Sequence, residues 1–445
     1  PVYSPPNLPD LADFEPTDAA QDEVRSLVAS FKRDQNDERE RVEALRRRAM
    51  DRPEPFRSHD LALLPTVRMR GDAELTRSAV AVVRRRWAAD AMRQAMTERV
   101  DLQNALYGEE AVDAFVANGT GNLVVSPKSM LGFQLEAKAR DVLLGIATQL
   151  LRHIRTTVSA QLRTEVRSAV MGRPVQFRSS MKEAGGVQAL EILTDAPTPG
   201  GFESVEFLEE PAAAAFGYHR RADRPLRTMI LDIGGGTTDM ALADIGGGTA
   251  TPLIHRSWGE AVGGTDVDIE LSMRGVMPLF GKGITRTGNH CFYEASAVQD
   301  LQRQARFRQT SFAQVDAPFG ARLQRLQIPG HTVRLNRAVE RAKIQLSQDD
   351  SVRLELDYIE PALTGLIDKE RLTDAASPFM FQLRSLMQRA RSDLSDAPDT
   401  VYLTGGMSRS PYVPLAAREV FPESEIVMGD ASLGVVTGLA HAAAA

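Results

Sequence analysis

The amino-acid sequence predicts an α/β protein built as two lobes, and three observations carry that prediction. Its 445 residues exceed what one ordinary core organises. From about Gly119 onward, strand-like apolar runs alternate with helical patterns, the order expected of sheets flanked by helical layers. Most informative, the apolar run Met229-Ile230-Leu231 enters the turn LDIGGGTTD, Leu231 to Asp239. Such a turn describes a strand folding sharply around a bound phosphate. Glycine permits positive φ and close backbone approach, successive amides form an anion-binding nest, and the hydroxyls of Thr237 and Thr238 add donors. The flanking Asp232 and Asp239 suit Mg²⁺ held through its waters.

The elements follow in order. Val2-Tyr3 before Ser4-Pro5-Pro6 reads as the end of a strand. Residues 17–50 are highly charged, with Val24, Leu27, Val28, Phe31, Val42 and Leu45 at roughly helical spacing, which predicts an amphipathic helix or helix pair. Pro53-Glu54-Pro55 breaks it. A second helical region from Ala73 to about Val100 carries Arg84-Arg85-Arg86 beside Trp87, a run expected to form a solvated face. A loop and short strand occupy Gly119 to Gly132, and a long helix is predicted from Glu136 to Leu162. Strands at Ala169–Met171 and Val205–Leu208 flank a helix near Gly186–Leu193. Glu210-Pro211 then opens a helix whose Ala212–Ala215 allow close packing against a neighbour. The second glycine run, DIGGGT at Asp244–Thr249, lacks a closing aspartate and reads as an ordinary hairpin turn. Residues 270–327 look irregular, a small subdomain without obvious chemistry. Val401-Tyr402-Leu403 is a strand entering the paired glycines Gly405-Gly406 and a following helix, a place for phosphate or nucleoside, with Arg409 able to stack on a base.

Composition narrows the function classes. A net charge of −6, with 43% hydrophobic and 25% charged residues, gives no global drive towards nucleic acid. The single cysteine, Cys291, excludes an internal disulfide framework, fits a reducing compartment and reads as a passive thiol. No apolar run reaches membrane-spanning length, and no basic segment leads into an apolar one at the start. A cytoplasmic monomer is therefore expected, with nucleotide as partner, no nucleic acid or membrane, and a client or regulatory protein left open.

Taken together, the loop at Asp232–Asp239, the Glu210-Pro211 helix start, Gly263-Gly264-Thr265-Asp266-Val267-Asp268, Glu340-Arg341-Ala342-Lys343 and Gly405–Pro411 resemble the actin-like ATPase superfamily. Within it they resemble the DnaK-type chaperones of the heat-shock protein 70 family. Gly172–Phe177, Ser126–Gly132 and Met277–Gly281 are similar to the divergent bacterial YegD-type members. The resemblance implies two lobes, each a ribonuclease-H-like mixed sheet flanked by helices, with the first lobe incomplete at its N-terminus. It places lobe I at 1–222 with a helical insertion at about 17–118, and lobe II at 223–425 with a small subdomain at about 265–375. A C-terminal helix within 426–445 returns towards lobe I.

Carried over by position, the resemblance implies an ATPase that takes ATP/ADP and Mg. Gly234, Gly235, Gly236, Thr237 and Thr238 would cradle the phosphates, with Gly263 and Gly264 passing close from the other side. Asp232 would hold hydrated Mg²⁺ with Glu210 in the metal's solvent shell, Asp239 would accept a proton from the attacking water, and Lys128 would reach the γ-phosphate. Adenosine would lie among Glu340, Lys343, Ser347, Gly405, Gly406, Ser408, Arg409 and Asp430, with stacking one-sided because Ile344 stands where the family often has a second arginine. Two departures matter. The family's early Asp-x-Gly-Thr-Thr hairpin has no counterpart between Pro1 and Lys128, so either an upstream segment carried it or half the phosphate clamp is lost. After the last helix no DnaK-type linker or peptide-binding domain follows, which implies an ATP-driven switch without client binding by that route. An actin-like filament former, a small-molecule kinase and a nucleotide-dead scaffold stand as alternatives.

Overall fold

A computed structural model describes residues 1–5, 17–54, 57–58, 61, 64–65, 67–97, 104–135, 137–181 and 183–444. The chain divides into two compact units, Pro6–Asp101 and, together, Pro1–Pro5 with Leu102–Ala445. Pro55, residues 98–100 and Glu136, where helix limits are predicted, lie outside the described residues. No described helix is long and apolar enough to cross a membrane.

In the smaller unit, α1 (Asp18–Met50) packs on α2 (Asp72–Thr97). Thr17 caps α1 by accepting the Ala20 N–H at 3.3 Å, and Asp18 complements the helix dipole. Leu75, Ala79 and Val83 are buried on α2. The arginine run engages its own unit: Arg86 pairs with Glu23, and Arg85 donates to the Ala81 carbonyl at 3.2 Å.

The larger unit opens with β1 (Val2–Ser4), β2 (Leu106–Tyr107), α3 (Gly108–Asn118) and β3 (Asn122–Val124), the strands forming an antiparallel sheet in the order β2-β1-β3. The helix at 108–118, assigned from sequence to the insertion, therefore belongs to this unit. Next come α4 (Ala137–Leu162), β4 (Ser168–Arg173), α5 (Glu183–Asp195), β5 (Ser204–Glu209) and α6 (Glu210–His219), with β4 and β5 a parallel pair.

A five-stranded mixed sheet follows, built from β6 (Leu226–Ile233), β7 (Thr238–Ile245), β8 (Leu253–Glu260), β11 (Thr400–Thr404) and β12 (Glu425–Met428) in the order β12-β11-β6-β7-β8. Strand β7 runs antiparallel to both neighbours, while β11 is parallel to β6 and β12. Both faces of β6 are covered, which explains its continuous apolar sequence. Met229, Leu231 and Ile233 enter the main core, whereas Ile230 packs with Ala214 and Ala215 of α6.

Between these strands lie α7 (Gly264–Leu271), α8 (Asn289–Ser296), α9 (Leu301–Gln309), α10 (Phe319–Leu326), α11 (His331–Gln345), the hairpin β9 (Ser351–Glu355) and β10 (Thr364–Asp368), and α12 (Lys369–Ser392). The region read as irregular, 270–327, is thus largely helical. Its helices α8, α9 and α10 are eight or nine residues long, so no extended periodic pattern stands out, yet they seat Phe292, Phe307, Leu323 and Leu326 in the main core. Chain order ends with α13 (Tyr412–Val420) and α14 (Gly434–Ala443).

The chain repeats one arrangement: the parallel pair β4–β5 leads into α6, and the parallel pair β11–β12 leads into α14. Helices α6 and α14 pack against each other, and α14 also touches β4. A Cβ added at Gly438 would lie 1.6 Å from the Ala213 carbonyl oxygen, so the two backbones meet directly.

Candidate nucleotide site

Strands β6 and β7 are joined by Gly234 to Thr237, closed by a hydrogen bond from the Gly234 N–H to the Thr237 carbonyl at 2.9 Å. None of Gly234, Gly235 and Gly236 has a positive φ, contrary to one reason given for glycine here. The protein barely constrains them: an added Cβ would meet nothing nearer than 3.5 Å at Gly234 and Gly235 and 3.4 Å at Gly236. Glycine at these positions clears space for something outside the fold. The second run behaves oppositely. Gly246, Gly247 and Gly248 have φ of 74°, 70° and 73°, and a Cβ at Gly246 would lie 2.2 Å from the Arg224 carbonyl. That run is the hairpin turn between β7 and β8, as its missing aspartate suggested.

Antiparallel register sets Asp232 directly opposite Asp239 at the mouth of the loop. Two carboxylates opposed on one sheet face repel, and both are buried. Burial pushes the Asp232 carboxyl up to about 7, with the Glu210 carboxylate adding to the rise and the Lys128 ammonium opposing it. Asp239 is likewise pushed up to about 7, first by burial and then by Glu210, against the hydrogen bonds from Val175 and Thr237. Its Oδ1 accepts the Val175 N–H at 2.8 Å, and its buried Oδ2 has no partner among the described residues. An uncompensated buried acceptor beside a second carboxylate fits a hydrated cation or a proton-bearing water. Among the described residues no three His, Cys, Asp or Glu side chains are grouped to ligate a metal directly, and the carboxylates of Asp232 and Glu210 fit a cation held through its waters.

Opposite the loop, the one-turn helix Pro127–Met130 carries Lys128, which pairs with Glu210 at the start of α6. A cavity of about 220 Å³ is lined by Lys128, Glu210, Gly234, Gly235, Gly236 and Thr237, together with Ser129 and Thr265, which lie in quoted motifs without an assigned role, and Arg178, which lies outside them. A lone arginine outside a motif carries no sequence signal. Thr238 departs from expectation: it is fully buried, and its hydroxyl donates to the Val262 carbonyl at 2.8 Å rather than towards the cavity.

The glycines of the facing turn hold the loop in place. Gly264 N–H donates to Gly234 O at 3.1 Å and Thr265 N–H to Gly235 O at 2.8 Å. A Cβ at Gly263 would come within 2.7 Å of those carbonyls. Asp266, in the first turn of α7, accepts the Gly263 N–H at 2.9 Å.

On the nucleoside side, Lys343 does not pair with Glu340. It is buried, ion-pairs with Asp268 at 2.8 Å and donates to the Gly264 carbonyl at 3.3 Å. Burial raises the Asp268 carboxyl to about 6 against the pull of Lys343. Glu340 and Arg409 are exposed, Ser347 half-buried, and Ile344 is 63% exposed. Gly405, at φ 81°, abuts Asp232 and Ile233 so closely that a Cβ would lie 2.4 Å from the Ile233 carbonyl, while Gly406 has open space. Ser408 is buried and donates to the Gly405 carbonyl at 2.7 Å, a turn-forming rather than ligand-facing role. The Asp430 side chain caps the approach to α14 by accepting from the Ser432 and Leu433 amides at 2.8 and 2.7 Å. Those amides, with Arg409 and Arg221 nearby, hold its carboxyl below the usual range.

Residues 109–290 match the family model described as Hsp70 protein. The chain is 25% identical over 322 residues to chaperone protein DnaK of Methanothermobacter thermautotrophicus, covering 69% of this chain and 46% of that protein. DnaK of Thermosipho africanus is 26% identical over 331 residues, covering 71% and 47% respectively. Heat shock protein SSC3, mitochondrial, of Saccharomyces cerevisiae is 26% identical over 287 residues, covering 61% and 36%. The chain spans about half the length, or less, of these curated relatives. The mixed sheet, the glycine loop and the matched residues have one common reading: an actin-like ATPase fold in a chain that is similar to the Hsp70 family over residues 109–290.

Proposed function

We propose that this chain binds Mg·ATP and hydrolyses it slowly, as a chaperone-like nucleotide switch. The observation that carries this reading is the set of three glycines whose missing side chains the protein itself does not require, facing Lys128 and bounded by the opposed carboxylates Asp232 and Asp239. The Hsp70 family's use of ATP and ADP supports it. The cleft lies between lobe I, ending near residue 222, and lobe II at 223–425.

Each residue has a task in this reading. The amides of Gly234 to Gly236 and the Thr237 hydroxyl bind phosphate oxygens. Lys128 leaves Glu210 for the γ-phosphate and stabilises charge there in the transition state. Asp232 and Glu210 would hold Mg²⁺ through its waters, and the ion would supply neutralisation of phosphate charge. Asp239, anchored by Val175, orients the attacking water with its free Oδ2 and takes its proton. Glu340, Ser347, Gly405, Gly406 and Arg409 border the adenosine, with stacking from Arg409 alone.

Steady-state turnover of Mg·ATP by the full-length protein tests the assignment. Asp239→Asn and Lys128→Ala are each expected to lower turnover on the order of a hundredfold. Wild-type rates in both variants would show that the chemistry lies elsewhere.

A further inference from the structure

We propose that Arg178 reads the terminal phosphate of the bound nucleotide and so distinguishes ATP from ADP; this rests on the nucleotide reading above. Arg178 lines the same cavity as Lys128, Glu210 and the three glycines, and its side chain is 19% exposed. One amino group, Nη2, is bound to the Asp266 carboxylate. The other, Nη1, is buried with no hydrogen-bond partner among the described residues. A guanidinium stays charged under all ordinary conditions, and a buried N–H donor without an acceptor is unfavourable. The fork is thus half used. Its unused half belongs to a group that lines the cavity beside the glycine loop, and a phosphate oxygen is an acceptor that suits it.

The order of residues along the cleft specifies which phosphate. Gly405, on the nucleoside side, abuts Asp232 and Ile233 at the end of β6. At the far end of the loop, a Cβ on Gly236 would meet Ser129, which shares the cavity with Arg178. A nucleotide entering from the Gly405 side therefore ends its phosphate chain near Arg178. Beyond that point Arg178 also borders a larger cavity of about 480 Å³, so the cleft opens past it rather than closing before it.

The backbone pins the two cations of the site together. Gly132, four residues after Lys128, forms a parallel bridge with Ser179, and a Cβ on Gly132 would lie 2.3 Å from the Arg178 carbonyl oxygen. Gln188 ties the same segment down by donating to the Leu131 and Phe133 carbonyls at 2.7 and 2.8 Å. Through Asp266, Arg178 also connects to Gly263, and through the next two amides of that turn to Gly234 and Gly235. Arrival of the terminal phosphate is thereby felt on both walls of the cleft.

Titration calorimetry on the full-length protein with Mg·ADP and with the non-hydrolysable β,γ-imido analogue of Mg·ATP tests this, comparing wild type with Arg178→Ala, Arg178→Gln and Arg178→Lys. Removing the guanidinium in the Ala and Gln variants is expected to weaken the triphosphate analogue at least tenfold while ADP affinity changes less than about twofold. The lysine variant recovers part of the difference. Equal weakening of both nucleotides, or none, in whichever of these variants folds would overturn the assignment of Arg178 while leaving the nucleotide site intact. Wild-type protein that binds neither nucleotide would overturn the nucleotide reading, and this inference with it.

Discussion

Asp232 and Asp239 show how one residue pair links stability to ligand chemistry. Both carboxyls are pushed up to about 7 in the folded chain, against ordinary values near ~3.9 when unfolded. In that interval the folded state binds more protons than the unfolded state, so this contribution to stability is full below the unfolded value and is lost as pH rises through about 7. Ligand-free protein is accordingly expected to melt at lower temperature at pH 8 than at pH 6, and Asp239→Asn to show a shallower fall. A melting temperature in the variant that tracks wild type across this range would contradict the origin assigned to the effect. Under the proposed function the same protons would leave when a hydrated cation arrives, so Mg·nucleotide affinity is expected to rise with pH over this interval. Asp268 is a different case: its proton competes with the buried Lys343 ammonium 2.8 Å away, an interaction within the fold.

At the level of elements, the two glycine turns flanking β7 share a composition and do opposite things. Between β7 and β8, glycine is required by the chain itself, because the backbone is left-handed at Gly246. Between β6 and β7, the chain would accept a side chain. Gly246→Ala is expected to cost about 1–3 kcal/mol of stability by urea unfolding. Gly235→Ala should cost less than about 1 kcal/mol and yet weaken nucleotide binding, and comparable destabilisation by both would refute the distinction. This contrast was legible in part: the closing aspartate separated a ligand loop from a hairpin, but backbone conformation is not written in three identical glycines. Lys128, Glu210 and the paired aspartates were readable because each sits in a motif of fixed spacing. Arg178 was not, since its importance arises only when the segment after β4 folds back onto Gly132. The short helices α8, α9 and α10 escaped notice for a similar reason. They are held by tertiary bonds, such as Gln304 to the Glu294 carbonyl at 2.6 Å and the Ser272–Ser296 hydroxyl pair, rather than by a long apolar stripe.

For the whole molecule, the alternation of strands and helices anticipated sheets with helical layers, while the mixed character of the five-stranded sheet came only with the family resemblance; its order places the ends of β6 and β11 side by side at the glycine loop. Ahead of that sheet the described strands divide between the β2-β1-β3 sheet and the β4–β5 pair. If the chain acts as a nucleotide switch rather than a filament subunit, Mg·ATP leaves light scattering of the purified protein unchanged at micromolar concentration. Nucleotide-dependent growth in scattering and a sedimenting fraction would instead favour the polymerising relatives of this fold. The contact of α6 with α14 has a mechanical consequence. Where Gly438 meets Ala213 there is no layer of side chains to compress, so the two helices cannot approach closer at that point. In the proposed nucleotide switch that contact would serve as a fulcrum, small rotations about it becoming proportionately larger displacements with distance from it.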